Sequence, residues 1–209
     1  EEIIDNFIRP FDLGKPPLLR IGLVELAPER HLMIFDMHHI ISDGVSMEIL
    51  IKEFFALYQG QKLPELKLQY KDFSTWQNRL FQKGLMEEQE GYWLETFSDG
   101  VPILNLPTDY PRPSLQSFRG DVLEFEIDGK LTEELKELAA KRGTTIYMLL
   151  LAAYHLLLAK YSGQEDIVIG SPIAGRRHAD LENIIGMFVN MLALRNRSEG
   201  DESFNEFLD

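Results

Sequence analysis

The sequence predicts a mixed α/β protein built of two-layer α+β lobes, and three observations predict it. Apolar runs at 18–26 and 31–37 flank the turn Ala27-Pro28-Glu29-Arg30 and read as a β-hairpin. Apolar residues recur at helical spacing from Val45, from Tyr70 and from Leu131. Residues 98–119 hold Gly100, Pro102, Pro107, Pro111 and Pro113 without periodicity, a connection long enough to divide the chain. The expected organisation is a first lobe over 1–97, a connection over 98–119 and a second lobe over 120–209, with strands and helices mixed in each lobe.

Composition narrows the function. The 209 residues suffice to bury a sizeable core, and 44% hydrophobic with 26% charged residues is ordinary for a globular chain. A net charge of −13 lacks the basic footprint of a nucleic-acid binder and disfavours an anionic membrane surface. The absence of cysteine excludes disulfides and thiolate-bound zinc and suits a reducing compartment, so the cytoplasm is expected. No basic start or apolar stretch of signal-peptide type opens the chain. The apolar run 146–159 is interrupted by His155 and falls short of the about 20 residues a bilayer requires. A start without Met, in what reads as the middle of structure, is expected of a piece of something longer.

In order along the chain, 6–17 reads as irregular because Pro10, Gly14, Pro16 and Pro17 punctuate it. The hairpin follows, and Val45, Ile49, Leu50, Phe54 and Leu57 then mark a helix to Tyr58 that Gly60 stops. A second helix over 70–81 carries the stripe Tyr70, Phe73, Trp76 and Leu80, and a third over 85–97 carries Tyr92, Trp93 and Phe97; both stripes read as core. Beyond the connection, Val122–Ile127 alternates as a strand with Glu124 and Glu126 on its wet face. Leu131–Ala140 reads as a helix begun by Thr132 and ended by Gly143, with Glu133 and Glu134 suited to its first turn. Thr144 or Thr145 caps the apolar helix to Tyr161. A short strand over 166–169, an irregular stretch over 170–183, a strand over 188–195 and a helix beginning near Ser203 complete the reading.

The segment 36–44, Asp-Met-His-His-Ile-Ile-Ser-Asp-Gly, joins the second hairpin strand to the first long helix. Neighbours on an extended chain face opposite ways, so His38 and His39 have different tasks, one toward a cleft and one inward. The same divergence argues against a metal site made of His38, His39 and Asp43. Asp43 is placed to cap the helix or to pair with an arginine.

His38-His39-Ile40-Ile41-Ser42-Asp43-Gly44 resembles the HHxxxDG motif of condensation domains from nonribosomal peptide synthetases. Tyr70-Lys71-Asp72-Phe73-Ser74-Thr75-Trp76 is similar to that family's next motif, and Ile185 to Asn190 with Arg195 to a third. Leu106 to Pro113 and Gly170 to Arg176 resemble further segments, so the likeness runs along essentially the whole chain. Two features depart from the family pattern: an arginine motif expected upstream of His38 is missing, and Met191 stands where Thr is common. The chain therefore resembles about the middle half of such a domain.

The resemblance implies a fold like chloramphenicol acetyltransferase, with two lobes flanking a central tunnel, here incomplete. It implies amide formation, in which an acceptor α-amine attacks a donor thioester. No cofactor is bound covalently; donor and acceptor peptidyl carrier domains present the substrates on phosphopantetheine arms, beside an adenylation domain. His39 is the implied catalytic residue, His38 and Asp43 support it, and Gly44 serves backbone conformation or substrate approach. The family places Asp43's arginine in the missing upstream segment, with Arg195 as a local candidate. Ser46 caps or lines the tunnel, Asn190 faces His39 from the second lobe or is a strand residue satisfied by backbone, and Arg176 with Arg177 meets a pantetheine phosphate or solvent. His31, His155 and His178 are read as structural. An epimerisation domain shares the histidine motif but usually carries Trp where this chain has Met47, and a coenzyme-A-dependent acyltransferase lacks the flanking motifs. A non-catalytic carrier-binding domain is expected to show an eroded motif.

Overall fold

The computed structural model describes residues 2–209. A short helix, α1 (Glu2–Phe7), precedes the expected hairpin, whose strands are β1 (Leu19–Ala27) and β2 (Arg30–Met37). They pair antiparallel with Leu19 opposite Met37 and Val24 opposite Leu32, and a bulge falls between Glu25 and Ala27. α1 lay hidden in sequence because six residues give too few turns for a period to show.

Helices α2 (Gly44–Tyr58), α3 (Tyr70–Gln82) and α4 (Glu87–Thr96) follow. Asp43 caps α2 by accepting from the Ser46 amide, and a Gln69–Asp72 capping box starts α3. Next come α5 (Gly129–Arg142), α6 (Ile146–Ser162), β3 (Asp166–Ile173), β4 (Asn190–Arg197) and α7 (Phe204–Leu208). β3 and β4 form a second two-stranded sheet. Thr145 caps α6, and Gly143 ends α5 in the left-handed region at φ 66°.

Several expectations need correction. Val122–Ile127 is not a strand: no described strand lies beside it to complete a ladder, and Leu123 is 89% exposed. α5 begins on Asp128, whose carboxylate takes the Leu131 amide, while the Thr132 hydroxyl merely turns back to the Asp128 carbonyl. β3 runs four residues further than expected. Trp76 and Tyr92 are largely exposed, so only part of each aromatic stripe is core.

The chain gathers into two compact units, residues 1–91 with 172–191, and residues 92–171 with 192–209. The stretch 172–191, numbered with the second lobe above, is counted with the first unit here. In the first unit Leu181, Ile184 and Phe188 form a buried cluster against Tyr70 and Phe73 of α3. In the second, Ala139, Leu149, Ala152 and Leu208 form another, joined by Phe204 and Phe207. His155 lies fully buried in the second unit, its ring 5.0 Å from that of Phe207. Among the described residues neither of its nitrogens has a hydrogen-bond partner of good geometry, and burial pushes its pKa down against a weaker opposing pull from the Glu165 backbone. Among the described residues no single helix is long and apolar enough to cross a membrane.

Candidate functional site

β2 ends at Met37, one residue before the histidine pair. His38 remains extended; its amide donates to the Leu18 carbonyl (3.0 Å) and its Nδ1 accepts from the Ile40 amide (3.1 Å). Phe11 meets the same ring edge-on at 6.1 Å. His39 opens a 3-10 turn over His39–Ile41, closed by the Ser42 amide on the His39 carbonyl. Its imidazole is exposed, and among the described residues no hydrogen bond, ion pair or ring contact holds it. One histidine is thus held and the other free, but a turn separates them rather than the alternation of a strand.

The chain then dives. Ser42, Asp43 and Ser46 are all buried, Asp43 at 2% exposure and Ser46 at 0%. Asp43 Oδ1 accepts from the Ser46 amide (2.8 Å), the Ser46 hydroxyl (2.8 Å) and Arg176 Nη2 (3.0 Å). Its Oδ2 accepts from Arg176 Nη1 (2.8 Å) and the Phe188 amide (3.0 Å). Arg176 thereby grips the carboxylate with both ends of its fork, a geometry Lys cannot reproduce. Burial pushes the Asp43 carboxyl up, but Arg176, Ser46 and the Phe188 amide outweigh it and hold the group well below the usual carboxylate range.

This overturns four expectations. Asp43 finds its arginine at Arg176, within the chain, and not in an upstream segment. Arg195 is spoken for elsewhere: it binds Asp166, Asp99 and the Thr96 carbonyl. Arg176 is unsuited to a pantetheine phosphate, because its side chain is 5% exposed and its charge is already matched. Ser46 is also corrected, since a fully buried hydroxyl cannot line a tunnel and the cap itself is Asp43.

Local sequence explains how Arg176 reaches Asp43. Gly175 sits at φ 69°, and a Cβ there would lie 2.0 Å from the Phe188 carbonyl oxygen, so the turn admits only glycine. Arg176 then stacks its guanidinium 4.3 Å from the Phe188 ring centroid. At Gly186 a Cβ would meet the Tyr70 ring at 2.1 Å, and the Tyr70 hydroxyl donates to the Met187 carbonyl (2.8 Å). Gly175, Gly186 and Tyr70 were missed as supports of the site; the one signal available was a glycine directly before an arginine after a strand.

Gly44 is exposed, has an ordinary φ, and would keep open space around a Cβ. Backbone conformation therefore does not require glycine there. Asn190 is exposed, and its side chain accepts from the Met191 amide (2.8 Å). It borders a cleft of about 400 Å³ with Phe73, Trp76, Arg177 and Phe188; His39 is not among the lining residues. His178 caps its own turn by accepting from the Asp180 amide. No group of three or more His, Asp or Glu side chains among the described residues could hold a metal ion.

A family model described as Condensation domain matches residues 1–209. Gramicidin S synthase 2 of Aneurinibacillus migulanus is 61% identical over 208 residues, and tyrocidine synthase 3 of Brevibacillus parabrevis 59%. Each match covers all of this chain but only 5% and 3% of those relatives. Among solved structures, the complex of the X-domain and OxyB from teicoplanin biosynthesis aligns with TM-score 0.88 at 26% identity, over 99% of this chain and 48% of that one. The first condensation domain of the CDA synthetase aligns with TM-score 0.74 at 25% identity, over 99% and 47%. The chain thus spans about half of those solved chains and has the mixed helix–strand, chloramphenicol acetyltransferase-like fold expected from its sequence.

Proposed function

The chain belongs to the condensation-domain family, and on that premise we propose that it contributes the catalytic histidine turn of a peptide-bond-forming site. The observation that carries the reading is the exposed imidazole of His39, unpartnered among the described residues, on a turn whose foot, Asp43, is locked in the interior.

In this reading an acceptor α-amine attacks the carbonyl of a donor thioester, a C–N bond forms and the C–S bond breaks. An α-amine titrates at about 7.7–8.0, so roughly a tenth to a fifth is already neutral near pH 7. The nucleophile needs orientation more than a strong base. His39 orients it and takes its proton as the tetrahedral adduct forms; the departing thiolate is protonated in turn. The first amides of α2, ahead of the Ser46 amide that Asp43 takes, face the adduct oxygen, with Gly44 leaving room for approach. His38 and Asp43 hold the turn, and Asn190 contacts substrate from its cleft. Carrier domains deliver both thioesters on phosphopantetheine arms in the cytoplasm, beside an adenylation domain, and the lobe boundary at 98–119 belongs to the same reading.

The test uses the full-length protein with loaded donor and acceptor carriers, the product read by mass spectrometry. Wild type is expected to yield a new amide and His39→Ala none. Wild-type dipeptide formation by a folded His39→Ala variant would sink the proposal, and an inverted α-carbon without a new amide would point to epimerisation.

A further inference from the structure

The geometry assigns Ser46 as a positioning residue for His39, acting through Asp43. The assignment rests on the proposed role of His39. Because among the described residues no hydrogen bond, ion pair or ring contact holds the His39 ring, the place of that ring is set by whatever anchors the turn. The anchor lies four residues on. Asp43 is fixed to the body of the first unit by Arg176 and the Phe188 amide, and Ser46 ties this anchor to a second point.

The Ser46 hydroxyl has two lone pairs and one hydrogen, and all are used. Its oxygen accepts from the Gly186 amide (3.0 Å) and from Arg176 Nη2 (2.9 Å). Its hydrogen has two acceptors at 2.8 Å, Asp43 Oδ1 and the Gly186 carbonyl. The carboxylate is the stronger acceptor. Ser46 therefore sits at the crossing of the carboxylate, the guanidinium and a main-chain segment 140 residues away. Asp43 and Arg176 fix a distance between two segments. Adding Gly186 as a further point makes the α2 N-terminus, and with it the His39 turn, resist rotation about that pair.

A side chain that only contributed stability would change how many molecules are folded, whereas a positioning group changes the rate of each folded site. Ser46→Ala deletes the crossing, and Ser46→Cys keeps the shape with a poor acceptor, so it serves if the alanine variant does not fold. In the full-length protein, steady-state amide formation is measured with loaded carriers over a range of acceptor-carrier concentration, and urea unfolding gives the fraction of folded, competent sites. Per competent site, kcat is expected to fall about tenfold or more, as a displaced catalytic group implies, with KM for the acceptor carrier unchanged. Unchanged kcat per site in the folded variant, whatever the loss in folded fraction, overturns the assignment, as does a rise confined to KM. His39→Ala is run beside them. If it retains full activity, the proposed role of His39 fails; if it is inactive while the folded Ser46 variants turn over normally, only the Ser46 assignment fails.

Discussion

Two arginine–aspartate assemblies pin distant parts of this chain, and they do so under opposite conditions. Arg176 and Asp43 meet across 133 residues in the interior of the first unit, their side chains 5% and 0% exposed. In the second unit Arg195 and Arg197 share Asp166 and Asp99, and Asp99 is more than half exposed. The first is a single pair, without redundancy: Ser46, the Phe188 amide and the Ile184 carbonyl meet its outer polar groups, and among the described residues Arg176 Nε has no partner. The second has two arginines for two carboxylates, and water screens its outer members. A buried charge that loses its partner is costly, whereas exposed pairs contribute little individually. The same chemistry thus acts as a fixed joint in one place and as an adjustable clasp in the other.

The largest effect is expected from breaking the buried pair on one side. Arg176→Met leaves Asp43 charged and without its counter-ion, and should cost about 3–5 kcal/mol in urea unfolding. Arg197→Ala, removing an exposed member of the clasp, should leave the midpoint nearly unmoved. Equal losses in the two variants would abolish the distinction.

A smaller loss is expected at Gly175, where the left-handed backbone alone makes alanine unfavourable by more than about 1 kcal/mol and the Phe188 carbonyl adds a clash. Gly44→Ala is the control, since it meets no steric or backbone objection. If Gly44→Ala unfolds the protein as readily as Gly175→Ala, the account of how Arg176 is delivered is wrong.

Acid gives the finest separation. Both carboxylates have depressed pKa values in the folded chain, so their contributions are complete above the ordinary carboxylate value of 3.8 and disappear as pH falls through the folded one. Asp99, held by Arg195 and then Arg197, sits at about 2, and Asp43 lies lower still. Between pH 4 and 2, Asp99→Asn should therefore flatten part of the loss of unfolding free energy. A change confined to pH 5–7 would contradict the assignment.

The hairpin, α2, α3 and α6 were legible because their periods and caps are written within one element. Val122–Ile127 was misread for a complementary reason: alternation records a preference, but a strand exists only when a neighbour supplies the ladder. The site divided in the same way. The turn and the capping Asp43 follow from adjacent residues; His38 and His39 do differ, but through a 3-10 turn and not through the strand alternation from which the difference was expected. The identity of Asp43's partner does not follow from adjacent residues, because five arginines, Arg142, Arg176, Arg177, Arg195 and Arg197, lie on the far side of the connection. What selects Arg176 is the Gly175 turn against the Phe188 carbonyl, a contact between positions no local pattern links.

The separation of Asp43 from Arg176 also sets an order of events on the ribosome. At about 5–20 residues per second, the 133 residues between them take on the order of ten seconds to emerge. For most of that interval the nascent chain already holds the hairpin and first-helix sequences, yet the carboxylate between them has no Arg176 to pair with. The reactive turn is consequently encoded early and fixed late, only once Arg176, 133 residues further along, has been synthesised.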